Sequence, residues 1–147
     1  IGLSVDPVES HNAWEGDIEE TQGYAVDFPM IADPDQKVAQ LYGMVHPDTD
    51  ATITVRSVYV IDPNKKVRLI ITYPPSTGRN FAEILRAIDS LQLTDARGVS
   101  TPVNWEPGQR VVISPKLSDE EALQKFPQGF EKQKPYLRLV DLEASGS

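Results

Sequence analysis

The chain has 147 residues, with 14 basic and 22 acidic side chains, a formal net charge of −8 and no cysteine. Without a thiol, disulfides, iron–sulfur clusters and a cysteine nucleophile are excluded within this sequence, and its two histidines lack the spacing of a metal site. The acidic balance argues against a nucleic-acid partner, because phosphate contacts need clustered Lys and Arg. No apolar run is long enough to cross a bilayer, so we expect a soluble, cytoplasmic protein without a stable membrane anchor.

The first part of the chain alternates strand and helix signals. The apolar run Ile1–Val5 predicts a buried parallel strand, and Asp6–Glu9 predicts a capping box for a helix that ends at Gly23. A second strand, Phe28–Ala32, is followed by a second capping signal at Asp33–Gln36. This order of elements predicts a parallel sheet.

A hairpin and a longer helix are predicted next. Ile53–Ile61 and Val67–Tyr73 are rich in β-branched and aromatic residues, and Asp62–Lys65 between them has the composition of a tight turn. Asn80, with Glu83 three residues later, predicts the start of a helix.

Apolar spacing of three and four residues predicts the inward faces of these helices. The residues expected to point inward are His11, Trp14 and Ile18 in the first helix, Val38, Leu41 and Tyr42 in the second, and Phe81, Ile84, Leu85, Ile88 and Leu91 in the third.

Beyond about Thr94 the sequence becomes richer in Pro, Gly and polar residues. A short strand is predicted at Arg110–Ile113, and Ser118 with Glu121 predicts a capped small helix. This tail is expected to be too poor in apolar residues for a core of its own and to wrap another surface. We therefore divide the chain into residues 1–94 and an extension of residues 95–147.

The chain opens on a strand-like run and not on a methionine. This beginning predicts that a preceding segment is missing from the sequence. The last four residues, 144–147, resemble a frayed tail and carry no information on the fold.

Four side chains are candidates for chemistry. Arg56 lies in an otherwise uncharged strand and must be paired, face a pocket or face solvent, and Arg79 precedes a helix start where it could reach an anion. From the residues alone, ordinary exposed arginines are favoured at both positions. His11 and His46 are interpreted as packing or surface residues.

Several motifs, in this order along the chain, strongly resemble the one-cysteine subfamily of peroxiredoxins. They are Ser4-Val5-Asp6 with His11 and Trp14, then Phe28–Asp35, Leu41–Met44, Arg56–Lys66 and Tyr73–Phe81, and in the tail Thr101–Trp105 and Lys134–Arg138.

The resemblance implies an α/β chain with an incomplete thioredoxin-like fold, in which a mixed sheet with flanking helices is followed by the C-terminal peroxiredoxin extension. It implies a thiol-dependent peroxidase that reduces hydrogen peroxide and alkyl hydroperoxides through a cysteine sulfenic acid, with an external thiol reductant and no cofactor. In the family the peroxidatic cysteine lies upstream of the matched segments, so the 147-residue chain is expected to be inactive alone.

Site residues are also implied by the resemblance. Arg56 matches the family arginine that lowers the pKa of the cysteine and donates hydrogen bonds to the peroxide, and Arg79 matches a second arginine of that pocket. These matches favour catalytic roles over the exposed interpretation.

The family's sheet implies a gap and a dimer edge. The missing strand would pair between Ile1–Val5 and the hairpin, so this chain is expected to have a gap in its sheet. A homodimer is expected through the edge strand and the extension. The residues expected at this edge are Val67, Leu69, Ile71 and Tyr73.

Two alternative functions remain open. The chain could be a non-enzymatic dimerisation or interaction fragment. Less favoured is a phospholipase A2-type hydrolase, because the Asp of the Ser-His-Asp set described for some family members corresponds to Asn64 here, and an amide cannot hold a histidine as a carboxylate does.

Overall fold

The computed structural model describes residues 1–45 and 54–142, which form two compact units, Ile1–Arg79 and Asn80–Ser147. Within these described ranges, no helix is long and apolar enough to span a membrane. The elements in chain order are β1 Gly2–Ser4, α1 Val8–Gln22, β2 Met30–Ala32, α2 Lys37–Leu41, β3 Arg56–Ile61, β4 Val67–Tyr73, α3 Phe81–Arg97, β5 Val99–Ser100, β6 Val111–Ile113, α4 Asp119–Lys125, β7 Glu131–Lys134 and β8 Leu137–Val140.

The first unit contains a parallel pair of strands, as the sequence predicts. β1 pairs with β2 in the register Leu3 to Ile31, and α1 makes the crossover between them. The backbone N–H of Asp33 donates to the carbonyl of Ser4 at 2.9 Å and extends the pairing beyond the strand. The strands are half-buried to exposed and not buried as expected, because a two-stranded sheet leaves part of its surface uncovered.

The predicted hairpin is confirmed over the part of it that is described. β3 pairs antiparallel with β4 from Arg56–Tyr73 to Ile61–Val67, with a register shift beside Val60. The turn closes where the Lys65 N–H donates to the Asp62 carbonyl at 2.9 Å. Ile53, the expected first residue of the strand, and His46 lie outside the described residues.

The two sheets of this unit are separate. Within the described residues, β1 and β2 form one two-stranded sheet and β3 and β4 form another. Each strand therefore has hydrogen-bonding groups on one side that no described strand satisfies. This is the arrangement expected of a sheet that lacks a central strand.

The two capping boxes predicted in this unit are wrong in detail. Helix α1 begins after Pro7 without a side-chain cap, because the Asp6 carboxylate accepts a hydrogen bond from Ser4 instead. Before α2, the Asp33 carboxylate accepts from the backbone N–H groups of Val38 at 3.1 Å and Ala39 at 2.7 Å, with Gln36 in the left-handed region. Asp33 thus acts as a cap, but from further away than the sequence spacing suggests.

Several residues of the predicted inward faces are exposed. Trp14 is 54% exposed, Leu41 80%, Phe81 72% and Leu85 61%. Buried positions on α2 and α3 are instead taken by small residues such as Ala39 and Ala87, with Ile84. The helices form as the spacing predicts, but within each described unit only part of each predicted inward face is buried.

The second unit has a core of its own, which corrects the expectation of a coreless tail. Strands β5, β6, β8 and β7 form a four-stranded antiparallel sheet in that order, and α4 has the predicted capping box between Ser118 and Glu121. Asn80 caps α3 as expected, accepting from the N–H of Glu83 at 3.2 Å. Each strand is short and supplies only one or two inward residues, so the core is not visible as an apolar run. Its buried members are Val99, Trp105, Val111, Ile113, Ala122, Phe126 and Val140.

Candidate functional site

Arg56 lies at the polar end of an apolar strip on the hairpin. It is the first residue of β3 and pairs with Tyr73, the last residue of β4. Side chains alternate along a strand, so Arg56 shares its face with Val58 and Val60 and, across the ladder, with Ile71. Arg56 is exposed, as the sequence alone favours, but it lies on the more apolar face of the hairpin.

The charge of Arg56 is not neutralised within the described residues. Other arginines have carboxylate partners: Arg86 binds Glu83 at 2.6 Å, and Arg110 binds Glu131 at 2.5 Å. In the described part of the chain, neither Arg56 nor Arg79 forms an ion pair or a side-chain hydrogen bond. A guanidinium stays charged and offers several donors, so such a residue is able to receive an anion or a polar oxygen.

Arg79 lies in the loop that joins the hairpin to α3. It is exposed, it is the last residue of the first unit, and it directly precedes the helix cap Asn80. Its position in the loop is compatible with the predicted role. The structure does not link it to Arg56 through any hydrogen bond or shared carboxylate of the described residues.

The predicted dimer edge lies along β4. Leu69, Ile71 and Tyr73 are half-buried, whereas Val67 is 48% exposed and follows the register shift. The side of β4 that faces away from β3 has no partner strand among the described residues. The edge is therefore available for pairing, and the dimer stays a prediction.

A polar cluster at the end of β1 is not predicted by the sequence. His11 is only 6% exposed, and its Nε2 lies 2.6 Å from Ser4 Oγ. Ser4 also donates to Asp6 Oδ2 at 2.9 Å. The signal is present in the Ser4-Val5-Asp6 and His11 motif, but nothing local shows that the first turn of a helix returns to the end of the preceding strand.

The second unit contains a buried cation that sequence reasoning also misses. Arg138 is 2% exposed and donates to Asp119 Oδ1 at 2.9 Å and to the carbonyls of Ser114 at 2.7 Å and Leu117 at 2.8 Å. Lys132 pairs with the other oxygen of Asp119 at 2.5 Å. The Lys132 ammonium first, and the Arg138 guanidinium second, hold the pKa of Asp119 below its ordinary value of 3.8.

The described residues were also compared with the requirements of a metal site and of a ligand groove. Within residues 1–45 and 54–142, no group of three or more His, Asp or Glu side chains converges as a ligand set. A groove of about 500 Å³ in the second unit lies beside α3 and contains none of the predicted site residues. Its polar lining includes Asp89, Gln92, Arg97 and Gln109.

Two family models match the chain. Residues 1–70 match the AhpC/TSA family, and residues 90–129 match the C-terminal domain of 1-Cys peroxiredoxin.

Whole-chain relatives agree with these matches. A 1-Cys peroxiredoxin of Dictyostelium discoideum is 54% identical over 95% of this chain, and peroxiredoxin-6 of Mus musculus is 47% identical over 95% of it. The chain spans 58% of the length of the Dictyostelium protein, 68% of the mouse protein and 56% of the mitochondrial peroxiredoxin PRX1 of Saccharomyces cerevisiae.

Solved structures share the fold. A structure of yeast mitochondrial 1-Cys peroxiredoxin matches with a TM-score of 0.88 and 51% identity, covering 95% of this chain and 68% of that one. A cysteine-to-serine mutant of peroxiredoxin 6 from Arenicola marina matches with a TM-score of 0.82 and 44% identity, again covering 95% of this chain and 68% of that one. The mixed α/β architecture with a thioredoxin-like fold, expected from the sequence, is thereby confirmed.

Proposed function

This chain belongs to the 1-Cys peroxiredoxin family, and on that premise we propose that it is part of a thiol-dependent peroxidase. The proposed substrates are hydrogen peroxide and alkyl hydroperoxides. The peroxidatic cysteine is supplied by a polypeptide segment outside these 147 residues, which contain no cysteine. The chain by itself is inactive as a peroxidase.

The proposed reaction needs one thiolate and one cationic group. The thiolate attacks the distal peroxide oxygen, the O–O bond breaks, and cysteine becomes a sulfenic acid while the leaving alkoxide or hydroxide takes a proton. One external thiol condenses with the sulfenic acid to form a mixed disulfide and water, and a second external thiol then attacks that disulfide, releases the cysteine thiol and leaves the reductant as its disulfide. A nearby positive charge favours the thiolate and stabilises the charge that develops on the leaving oxygen.

Arg56 is the observation that carries this proposal. Its guanidinium is exposed, has no ion-pair partner in the described residues, and lies at the end of an apolar strip. An unpaired arginine beside apolar surface is well suited to receive an anionic group from an incoming segment, because no neighbouring carboxylate already neutralises its charge. We also propose that Arg79 belongs to the pocket that binds the peroxide, although no contact in the described residues links it to Arg56.

Partners and location are further parts of the proposal. We place a homodimer contact at the free edge of β4, through Leu69, Ile71 and Tyr73 with Val67, and at the extension, residues 95–147. The reductant is an external thiol of unspecified identity; in the yeast mitochondrial relative, thiol resolution proceeds via glutathione and thioredoxin systems. A cytoplasmic location stays a prediction, and the yeast relative is named as mitochondrial.

The alternatives are less well supported. A purely structural interaction fragment agrees with the missing cysteine and the free strand edges, but it gives Arg56 no role. A phospholipase finds no support in the hairpin turn, where Asn64 occupies the position of the expected carboxylate. Similarity to peroxiredoxins along the whole chain favours the peroxidase.

The test is reconstitution of the peroxidase from two pieces. The chain is co-expressed with the cysteine-bearing upstream segment of the Dictyostelium relative, and peroxide consumption is followed with dithiothreitol as reductant. We expect turnover only in the assembled sample. Replacing Arg56 by Met should lower the rate by at least about 100-fold, because removal of one transition-state donor typically costs this much, and Lys should restore only part of it.

Arg97→Met is the matched control, since Arg97 is also exposed and has no carboxylate partner in the described chain. It should leave turnover unchanged. Peroxide consumption by the cysteine-free chain alone, or full activity of the Arg56→Met assembly, would contradict the proposal.

A further inference from the structure

The groove beside α3 in the second unit has a volume of about 500 Å³. Sites for small ligands commonly measure about 300–1,000 Å³. One wall of the groove is a face of α3, and its apolar lining includes Leu93, Trp105 and Leu142. Trp105 is only 3% exposed, whereas the two leucines are half-buried. The groove therefore offers a ligand an apolar surface beside a buried tryptophan.

A second wall of the groove is a turn that three hydrogen bonds hold in place. Its central residues are Pro107 and Gly108, and the φ of +88° at Gly108 fits a type II turn. The Gln109 N–H donates to the Glu106 carbonyl at 3.1 Å, and the Trp105 indole N–H donates to the Gln109 carbonyl at 3.0 Å. The Glu106 N–H donates to Gln109 Oε1 at 3.1 Å. This wall is formed without a ligand, as is usual for ligand sites.

Two charges of opposite sign line the groove from α3. Asp89 and Arg97 are both exposed, and neither forms an ion pair or a side-chain hydrogen bond with another described residue. They are eight residues apart in one helix, which corresponds to about 12 Å along its axis. Leu93 lies four residues from each of them and so shares their face. Along α3 the groove thus presents a carboxylate, an apolar side chain and a guanidinium in turn.

Two side-chain amides add polar groups to the same lining. Gln92 lies on α3 and Gln109 on the turn. A primary amide has donors and an acceptor, so it can pair with the N–H and C=O groups of a peptide backbone. The Oε1 of Gln109 already accepts from Glu106, and its NH₂ group is therefore the part that can donate to a ligand.

We propose that this groove binds a free linear peptide of about three residues, with its amino group at Asp89 and its carboxylate at Arg97. An extended chain spans about 3.3–3.6 Å per residue, so a tripeptide with an ion pair at each end matches the spacing of the two charges. Its central side chain is apolar and lies against Leu93 and Trp105. A zwitterion also avoids the repulsion that a chain of net charge −8 exerts on anions.

Titration of the full chain with the peptide Ala-Leu-Ala, followed by ¹H–¹⁵N NMR, tests the proposal. The chain has two tryptophans, so the two indole signals report on the groove and on a site elsewhere. The Trp105 signal should shift and saturate at millimolar peptide. The signal of Trp14, which is 54% exposed in the first unit, should stay unchanged. The dipeptide Ala-Leu should bind more weakly, because it is too short to reach both charges.

Blocked peptides assign each charge to its end of the ligand. Asp89→Asn should weaken Ala-Leu-Ala about 2–5-fold, as expected for loss of an exposed ion pair, but should leave the N-acetylated peptide unaffected. Arg97→Gln should weaken the free peptide similarly and leave the C-amidated peptide unaffected. Glu120→Gln and Lys134→Gln are the matched controls: they remove exposed charges of the same unit that do not line the groove, and binding should not change.

Exchange of the two charges separates recognition from damage to the fold. Asp89→Arg and Arg97→Asp should each weaken binding alone, whereas the double variant should bind Ala-Leu-Ala again, because a linear peptide can enter in the opposite direction. The dithiothreitol assay of the proposed peroxidase contains no peptide, so its result is independent of this groove.

Three results would overturn the proposal. A shift of both indole signals would show unspecific apolar contact, and a shift of neither would show that the groove does not bind the peptide. Sensitivity to only one of the two blocking groups would mean that the groove recognises a single chain end and not a free peptide. Selective saturation at Trp105, with both blocked peptides behaving as stated, would support it.

Discussion

Arg138 shows how a single buried charge can organise the C-terminal unit. Its guanidinium binds Asp119 and the carbonyls of Ser114 and Leu117, so it joins β8 to the loop before α4 and to the first residue of that helix. Its aromatic neighbour is Phe130, whose ring centroid lies 5.7 Å from the guanidinium carbon. Loss of this side chain would leave two carbonyl groups and a carboxylate with fewer donors.

Replacing Arg138 by Met tests this role. We expect the free energy of unfolding to fall by about 3 kcal/mol, because removal of one partner from a buried charge network leaves the others unsatisfied. Urea unfolding followed by circular dichroism measures the change. Arg110→Met is the matched control: its pair with Glu131 is half-exposed and should contribute less than about 1 kcal/mol. Equal losses in the two variants would contradict the assignment.

Asp119 gives the same network a dependence on pH. Its pKa is lowered by Lys132 and then by Arg138, so it binds its proton more weakly in the folded than in the unfolded chain. A carboxyl of this kind stabilises the fold above its unfolded pKa, and the contribution is lost as the pH falls through the folded pKa. We therefore expect the free energy of unfolding to decrease below about pH 5.

Urea titrations at a series of pH values measure this dependence. Asp119→Asn should be less stable than the parent near neutral pH and should show a flatter decline in acid. Asp89→Asn is the control, since Asp89 has no ion pair among the described residues. A parallel decline in the parent and the Asp119→Asn chain would exclude Asp119 as the source.

At the scale of single elements, the sequence predicts best what local contacts determine. The hairpin is predictable because Asp62–Lys65 closes its own turn, and the caps at Asn80 and Ser118 are predictable because each needs only the next turn of its helix. The predicted cap at Asp6 is wrong because Ser4 competes for its carboxylate. The spacing of residues in the sequence does not reveal that Ser4 binds this carboxylate.

The candidate site is predictable only in part. The alternation of side chains along the predicted strand suggests that Arg56 is exposed. Its catalytic role is suggested by the family resemblance and not by that alternation. The partners of His11 and the burial of Arg138 depend on which strands and helices pack together. In β8, Arg138 shares its inward face with Val140 while the leucines are half-buried, so hydropathy alone would place the charge outside.

Replacing two glycines by alanine tests how the backbone conformation at each position contributes to stability. Gly98 ends α3 with φ +59°, and an added Cβ would lie 2.8 Å from Lys125 Nζ, whereas Gly16 lies within α1 with open space around it. Gly98→Ala should cost about 1–2 kcal/mol, because L side chains are strained in the left-handed region. Gly16→Ala should stabilise by about 0.5–1 kcal/mol. Thermal unfolding of both variants should show opposite shifts, and shifts of the same sign would contradict this.

At the scale of the whole molecule, the predicted division into residues 1–94 and 95–147 and the oligomeric state remain proposals. Helix α3 runs across the predicted boundary between residues 94 and 95, so the extension begins within a continuous helix if that division holds. The proposed dimer depends instead on the outer edge of β4, which is unpaired in the described chain.

A charge on the β4 edge tests the dimer. Ile71→Lys places an ammonium group on the half-buried face and should shift the assembled protein towards the monomer in sedimentation velocity, because charges on an edge strand oppose pairing. Thr72→Lys, on the opposite and exposed side of the same strand, should change the distribution little. An unchanged dimer in the Ile71→Lys protein would contradict the proposal that the dimer interface lies along β4.

The unequal connections within the first unit have a consequence for the order of folding. A tight turn joins β3 to β4, whereas β1 reaches β2 only across α1 and the loop that follows it. Hairpins form in about 1–10 μs, but parallel strands must first lose the entropy of a long crossover. We therefore expect the β3–β4 hairpin to form a stable structure before β1 and β2 pair, although β1 and β2 are synthesised before the hairpin.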